Sequence, residues 1–234
     1  MLYLIGLGLD KDGISLHGKK ILKSAAIKKI YLEEYTVDFP YTKKELEKEL
    51  KIKIIPADRT FVESEKIIDE AKKEDIALLV YGSPLVATTH ISLINTAKKQ
   101  KLKCKILHSG SVFDAVAESG LSLYKFGKTT SLPKWQKNFE PKSFIDVIKE
   151  NQSIGAHTLL LIDIGLNFED AREQLNKTSF KFDKIIVACR LGIKSKFFYE
   201  TLDKIDEKKV EAPYCIIVPG KISHDEEVNL NSIN

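Results

Sequence analysis

Short apolar runs that alternate with amphipathic stretches predict an α/β chain of two unlike lobes, and three observations carry that prediction. IALLVYG (Ile76–Gly82) is apolar without interruption rather than in alternation, as in a parallel strand covered by helices on both faces. From Leu121 to Pro141 the rhythm breaks, because YKFGKTTSLPKWQKNFEP mixes aromatics, lysines, glycine and two prolines without a period. The rhythm then resumes, and 234 residues make one large domain or two small ones. The expected lobes are 1–122 and 123–234.

The elements follow in order. LYLIGLG (Leu2–Gly8) reads as a buried strand, and Ser15–Ala26 as a helix with Ser15 at its N-cap. KIYLEEY gives a second strand, and Thr42–Leu50 a helix whose lysines and glutamates stand at helical spacing. IKII runs up to Pro56, and Val62–Lys73 reads as one helix. After the strand Ile76–Gly82 come a helix Thr89–Lys99, the strand CKILH and a helix Ser111–Glu118. In the second lobe the expected elements are a helix Lys142–Asn151, a strand HTLLLIDIG and a helix Phe168–Leu175. They continue with a strand DKIIVACR, a helix around Phe197–Leu202 and a strand YCIIVPG.

Composition excludes several function classes. Hydrophobic residues are 43% and charged residues 30%, the balance of a soluble globular protein. Of 37 cations only Arg59, Arg172 and Arg190 are arginines, whereas bidentate recognition of phosphate and base edges favours arginine. The net charge of +4 therefore does not point to nucleic acid. No apolar run approaches the ~20 residues of a membrane span. MLYLIGLGLD lacks the basic start of a secretory signal, so a mature chain beginning at Met1 is expected, in the cytoplasm. Cys104, Cys189 and Cys215 sit beside apolar runs without a CxxC pair, which predicts buried free thiols and no metal or redox centre.

In open α/β sheets ligands bind beyond the carboxyl ends of the strands, so the turns there are informative. They read Gly6-Leu7-Gly8-Leu9-Asp10, Gly82-Ser83-Pro84-Leu85 and His108-Ser109-Gly110-Ser111-Val112 in the first lobe. In the second they read Asp163-Ile164-Gly165, Arg190-Leu191-Gly192 and Pro219-Gly220. Glycine there lets backbone approach a ligand and presents amide donors, although glycine also simply ends strands. The first turn falls short of a dinucleotide fingerprint, because Lys11 stands where the third glycine belongs, with Glu33 or Glu34 about 25 residues on. There is no phosphate-binding P-loop, no G-x-S-x-G elbow and no H-E-x-x-H helix. The five histidines are scattered and expected to be structural, as is a turn or capping role for Asp163. No catalytic dyad emerges.

YGSPLVATTH resembles the GDPLVATTH signature of the diphthine synthase family, within the tetrapyrrole-methylase-like class of S-adenosylmethionine methyltransferases. LYLIGLGL, LYKFGKT, DVIKEN, HTLLLIDI and IIVPGK resemble the same family in the same order, with the closer likeness to its archaeal branch. The resemblance implies two unlike α/β lobes with the cofactor in the cleft between them, and a homodimer. On matching positions it implies that S-adenosylmethionine is held by Leu9, Ser83, Val86, Ser111 and Val112, and by Ile162, Leu191 and Tyr214. These would be mainly backbone and apolar contacts. It further implies methylation of the amino group on a modified histidine of translation elongation factor 2. That transfer rests on proximity and orientation and requires no dedicated general base. Tyr81, Tyr124 and Phe126 are candidates to line the acceptor site, and the lysine-rich surface could steer an acidic protein partner. The chain departs from the pattern at Ser83, where the family has aspartate. It departs again in SGSV, which replaces APS, at Tyr214, where histidine is common, and in a short, divergent C-terminus. The competing readings are a same-fold methyltransferase acting on a small molecule such as a tetrapyrrole, and a binding protein that has lost the cofactor.

Overall fold

The computed structural model describes every residue except Glu65 and Asn234, and the chain divides into two compact units, Met1–Phe113 and Asp114–Asn234. The expected boundary after residue 122 lies inside the second unit. Residues 114–122 join that unit through specific bonds: the Ser122 N–H donates to Glu226 (3.0 Å) and Asn229 donates to the Gly120 carbonyl (3.1 Å).

The first unit holds β1 (Leu2–Gly6), β2 (Ile27–Glu33), β3 (Ile55–Ala57), β4 (Asp75–Val80) and β5 (Cys104–Leu107). They form one parallel sheet of order β3-β2-β4-β1-β5. Its helices are α1 (Leu16–Leu22), α2 (Lys43–Leu50), α3 (Arg59–Glu63), α4 (Lys66–Lys73) and α5 (Ile91–Lys99), and the short α6 (Val112–Ala115) runs across the division at Phe113. The continuous apolar runs behave as their pattern requires. Leu2, Leu4, Ile76, Leu78 and Val80 face one core, while Ile5, Leu7, Ala77 and Leu79 face the other. Each fully buried leucine there contributes about 1.5–3 kcal/mol.

Three helices differ from expectation. The helix begun by Ser15, whose hydroxyl accepts from the Gly18 N–H (3.0 Å), stops at Leu22, because the Lys23 N–H turns back to the Lys19 and Ile21 carbonyls. The stretch Val62–Lys73 is two helices. Asp58 caps the first, which closes at the extended Ser64, and Glu65 falls outside the described residues. Ser111–Glu118 is only α6 and a 3₁₀ turn at Val116–Ser119.

The second unit contains β6 (Thr130–Leu132), α7 (Ser143–Ser153), β7 (Thr158–Ile162), α8 (Phe168–Asn176) and β8 (Lys184–Cys189). It closes with β9 (Lys196–Thr201), β10 (Tyr214–Val218) and α9 (His224–Asn231). Its sheet is mixed, of order β6-β7-β10-β8-β9, with only β6 and β7 parallel. The helix expected around Phe197–Leu202 is instead β9, an edge strand paired antiparallel to β8 from Lys184↔Thr201 to Cys189↔Lys196. KFFYET is rich in aromatics that suit a pleated, half-buried surface. Phe198 packs on the core and Tyr199 receives the Lys184 ammonium over its ring. The divergent C-terminus forms α9, started by a capping box between Ser223 and Glu226.

Candidate functional site

In the first unit the order β4-β1-β5 sets the three expected turns side by side at the carboxyl edge of the sheet. Hydrogen bonds lock them together. Gly8 and Gly82 exchange reciprocal backbone bonds (Gly8 N–H to Gly82 O, 3.1 Å; Gly82 N–H to Gly8 O, 2.9 Å). Ser83 Oγ pairs with His108 Nδ1 (3.0 Å), and the Ser109 hydroxyl donates to Gly13 O (2.8 Å). The glycines of the first turn are required by close backbone approach within the protein. A Cβ at Gly6 would stand 2.6 Å from Gly82 O, and one at Gly8 (φ +74°) 2.8 Å from Gly13 O.

The predicted residues Leu9, Ser83, Val86, Ser111 and Val112 therefore all sit on one hydrogen-bonded set of turns. Ser83 and Ser111 are buried, while Leu9, Val86 and Val112 are half-buried. The Val86 N–H closes its own turn on Ser83 O (3.0 Å). Tyr81, a candidate for the acceptor site, donates its hydroxyl to Leu9 O (3.0 Å) and packs edge-on against Phe39, so it supports the first turn. Beside these turns, Gly110 has open space where a Cβ would point, and a Cβ at Gly82 would meet nothing nearer than Gly110 O at 3.8 Å. The open space beside Gly110 and Gly82, next to the half-buried Leu9, Val86 and Val112, fits a nucleoside with an amino-acid tail such as S-adenosylmethionine. Position 83 supplies a hydroxyl engaged with His108 where the family pattern has a carboxylate.

In the second unit the register Cys215↔Leu161 and Tyr214↔Cys189 places Ile162, Tyr214 and the turn holding Leu191 at one edge of the sheet. Ile162 and Tyr214 are half-buried against the core, and Leu191 is buried. The Tyr214 hydroxyl donates to Leu166 O (3.0 Å), a bond that a histidine there would make differently. The Leu191 turn is held by Arg190, which sequence reading did not single out. Its N–H donates to Pro213 O (2.9 Å) and its guanidinium to Ala212 O (3.2 Å), and it pairs with Glu211 (3.2 Å). Lys196 and Arg190 together hold the Glu211 carboxyl below its ordinary value, the Lys196 hydrogen bond contributing most.

Asp163 takes the turn role: its carboxylate accepts from the Lys134 and Ile164 N–H groups (3.1 and 3.0 Å). Tyr124 is fully exposed, and Phe126 lies edge-on to the buried His157 ring. Cys189 and Cys215 are buried free thiols and Cys104 is a half-buried one, their ionisation pushed up by burial. Among the described residues no cluster of histidine, cysteine and carboxylate side chains is arranged around a metal position, and no helix is long and apolar enough to cross a membrane.

Two histidines are more than scattered. His157 Nε2 faces Glu226 (3.0 Å), and its Nδ1 accepts from the Gly220 N–H (2.9 Å). The same Glu226 also receives Lys125, Ser122 N–H and Ser223 N–H. Asn151 bridges Lys128 to Thr158 nearby (2.8–2.9 Å). The segments YKFGKT, DVIKEN, HTLLLIDI and IIVPGK thus meet at the sheet edge opposite Ile162 and Tyr214. Their shared hydrogen bonds are a feature that spacing along the chain could not reveal. His90 of the first unit makes an ion-pair contact with Glu33 through Nε2 and donates from Nδ1 to Pro84 O (3.0 Å).

Comparison with known proteins places this arrangement. Residues 1–206 match the family model of the tetrapyrrole (corrin/porphyrin) methylases. The chain is 45% identical over 228 residues to diphthine methyl ester synthase of Saccharomyces cerevisiae (94% of this chain, 72% of that protein). It is 38% identical over 249 residues to diphthine synthase of Methanocaldococcus jannaschii (97% and 96%). The match to the Schizosaccharomyces pombe diphthine methyl ester synthase, 44% identical over 167 residues, takes in 70% of this chain and 58% of that protein. A solved diphthine synthase superposes with a TM-score of 0.88 at 28% identity, covering 99% of this chain and 95% of that one. Family match and fold together are those of a methylase of the tetrapyrrole class, an S-adenosylmethionine-dependent methyltransferase. Within that class the chain belongs to the diphthine synthase family.

Proposed function

We propose that this protein methylates the amino group of the modified histidine in translation elongation factor 2, with S-adenosylmethionine held by Leu9, Ser83, Val86, Ser111 and Val112 and by Ile162, Leu191 and Tyr214. The observation that carries the reading is the hydrogen-bonded set of turns formed by Gly8, Gly82, Ser83, His108 and Ser109. Those turns hold backbone and half-buried apolar side chains in fixed positions, with the Ser83 hydroxyl engaged by His108 and the Ser109 hydroxyl by Gly13 O. S-adenosylmethionine, when bound, would supply the methyl group and leave as a neutral thioether, so the chain's residues need only hold the acceptor amine, its proton given up to solvent, in line with the methyl carbon. The protein's part is to bind, orient and exclude water, which accounts for most of the rate in such a transfer. The chain works in this reading as a cytoplasmic homodimer, and its lysine-rich surface steers the acidic faces of the elongation factor.

The full-length chain, labelled S-adenosylmethionine and elongation factor 2 carrying the aminocarboxypropyl-histidine intermediate test the reading together. Label on that histidine is the expected result. Cofactor binding without transfer to the factor would redirect the assignment to a small-molecule acceptor. Relatives bear the names diphthine synthase and diphthine methyl ester synthase. Mild alkaline hydrolysis of the product therefore settles the extent of reaction, since an ester methyl is released and an N-methyl retained.

A further inference from the structure

The turn after β4 is followed by a buried ion pair that the methyl transfer itself does not use. Glu33, the last residue of β2, and His90, just before α5, are both almost wholly inaccessible (0% and 1%). His90 Nε2 pairs with one carboxylate oxygen of Glu33, and Thr36 donates its hydroxyl to the other. The opposite ring nitrogen, Nδ1, donates to the Pro84 carbonyl (3.0 Å), which also accepts the Thr88 hydroxyl (2.6 Å). Between these anchors Ala87 sits in the left-handed region (φ 55°), which a residue with a Cβ adopts only under constraint, and the Val86 N–H folds back on Ser83 O (3.0 Å).

Isolated buried charges cost several kcal/mol, and Glu33 with His90 are tolerated only as a pair. The pair does not merely fill the core. One end is fixed on β2, a neighbour of β4 in the sheet, and the other grips the carbonyl one residue after Ser83. We propose that His90, held by Glu33, is a positioning residue that closes the Ser83–His90 loop on the Pro84 carbonyl and so keeps Ser83 and Val86 in the conformation that receives the cofactor. This rests on the reading that Ser83 and Val86 bind S-adenosylmethionine. Without His90 the carbonyl loses a donor, Ala87 is released from its constraint, and the loop samples conformers that do not bind. The apparent affinity falls in proportion to the population lost.

The experiment uses the full-length chain and S-adenosylmethionine itself. Calorimetry gives Kd for wild type, Val86→Glu, His90→Ala and Glu33→Gln/His90→Asn. Hydrogen exchange of the same proteins without cofactor reports the 83–90 amides. Val86→Glu should abolish binding. If it binds as wild type does, the cofactor reading of this turn fails, and the positioning role with it. His90→Ala should bind about 10- to 100-fold more weakly, with exchange at the Val86 amide accelerated while the β4 amides stay protected. The double variant keeps a side-chain N–H near the Nδ1 position and leaves no buried unpaired carboxylate, so it should recover binding to within about threefold of wild type. It also keeps the question answerable if His90→Ala fails to fold. In turnover with the cofactor concentration varied and the acceptor saturating, KM for the cofactor should rise in His90→Ala with kcat little changed. A purely structural role predicts lower thermal stability with an unchanged Kd for the folded fraction. That outcome, or a double variant no better than His90→Ala, overturns the proposal.

Discussion

Each unit buries one histidine against one glutamate, yet the two pairs hold their protons in opposite senses. His90 has only acceptors around it, the Pro84 carbonyl on Nδ1 and Glu33 on Nε2, so the ring is favoured in its charged form. Burial pulls its pKa down, but Glu33 and the carbonyl more than offset that, and the net displacement is upward. His157 has one acceptor and one donor: Nε2 faces Glu226, whereas Nδ1 receives the Gly220 N–H. A second proton there would break the Gly220 bond. Burial then dominates, partly opposed by Glu226, and the pKa moves down. The same residue pair thus favours the charged ring in one unit and the neutral ring in the other, and the difference is one backbone N–H.

The strand-end turns differ as well. Those of the first unit are joined largely backbone to backbone through Gly8 and Gly82, those of the second by the side chains of Arg190 and Tyr214. The sharpest way to break the comparison is Glu226→Ala. Three charged or N–H donors and the His157 ring lose their common acceptor, so the second unit should lose about 3–5 kcal/mol in denaturant unfolding. Glu33→Gln, by contrast, keeps an acceptor for His90 and should cost less.

Acid and base should then separate the units. Glu226 would be raised by burial, but hydrogen bonds from Lys125, Ser223, Ser122 and His157 hold it far below the ordinary carboxylate range. A depressed carboxylate contributes stability that is present above its unfolded value near 4.3 and lost as pH falls towards its folded value. The depressed His157 acts in the same direction, its contribution shrinking as pH drops below about 6.5. The raised His90 acts oppositely: its contribution is full below about 6.5 and is lost as pH rises through its folded value. Hydrogen exchange across this range should therefore show second-unit amides around Thr158 opening towards acid and first-unit amides around Val86 opening towards base. Parallel loss in both units would contradict the assigned tautomers.

Smaller effects test the turns. Gly6→Ala drives a Cβ against Gly82 O, backbone on backbone, and should cost about 1–3 kcal/mol while weakening cofactor binding. Tyr214→Phe removes one hydroxyl bond to Leu166 O and should cost about 1 kcal/mol by thermal denaturation, with cofactor affinity altered less than by Gly6→Ala.

Much of this fold is written along the chain. The buried strands β1, β4, β7, β8 and β10 are continuous apolar runs, and Ser15, Thr42 and Asn167 cap helices as their chemistry directs. The strand-end turns also follow from sequence, because turns after apolar strands must lie at a sheet edge, whereas the individual site residues come from the resemblance to the family. β9 was not legible, since a half-buried aromatic edge strand has the same residues as a short amphipathic helix and only pairing with β8 decides between them. Nor were the positioning groups: Arg190 works through a carbonyl two strands later in the chain, and His90 through a glutamate on a strand paired from far upstream.

The sequence by itself determined the α/β class, the strand-end glycine turns and the family likeness, because these depend on local periodicity and on residue types at fixed spacing. Tertiary structure alone decided which turns are bonded to one another, that Ser83 answers to His108, and which proton each buried histidine keeps. Those outcomes depend on groups that meet only when the sheets form, and on whether the neighbour that arrives is a donor or an acceptor.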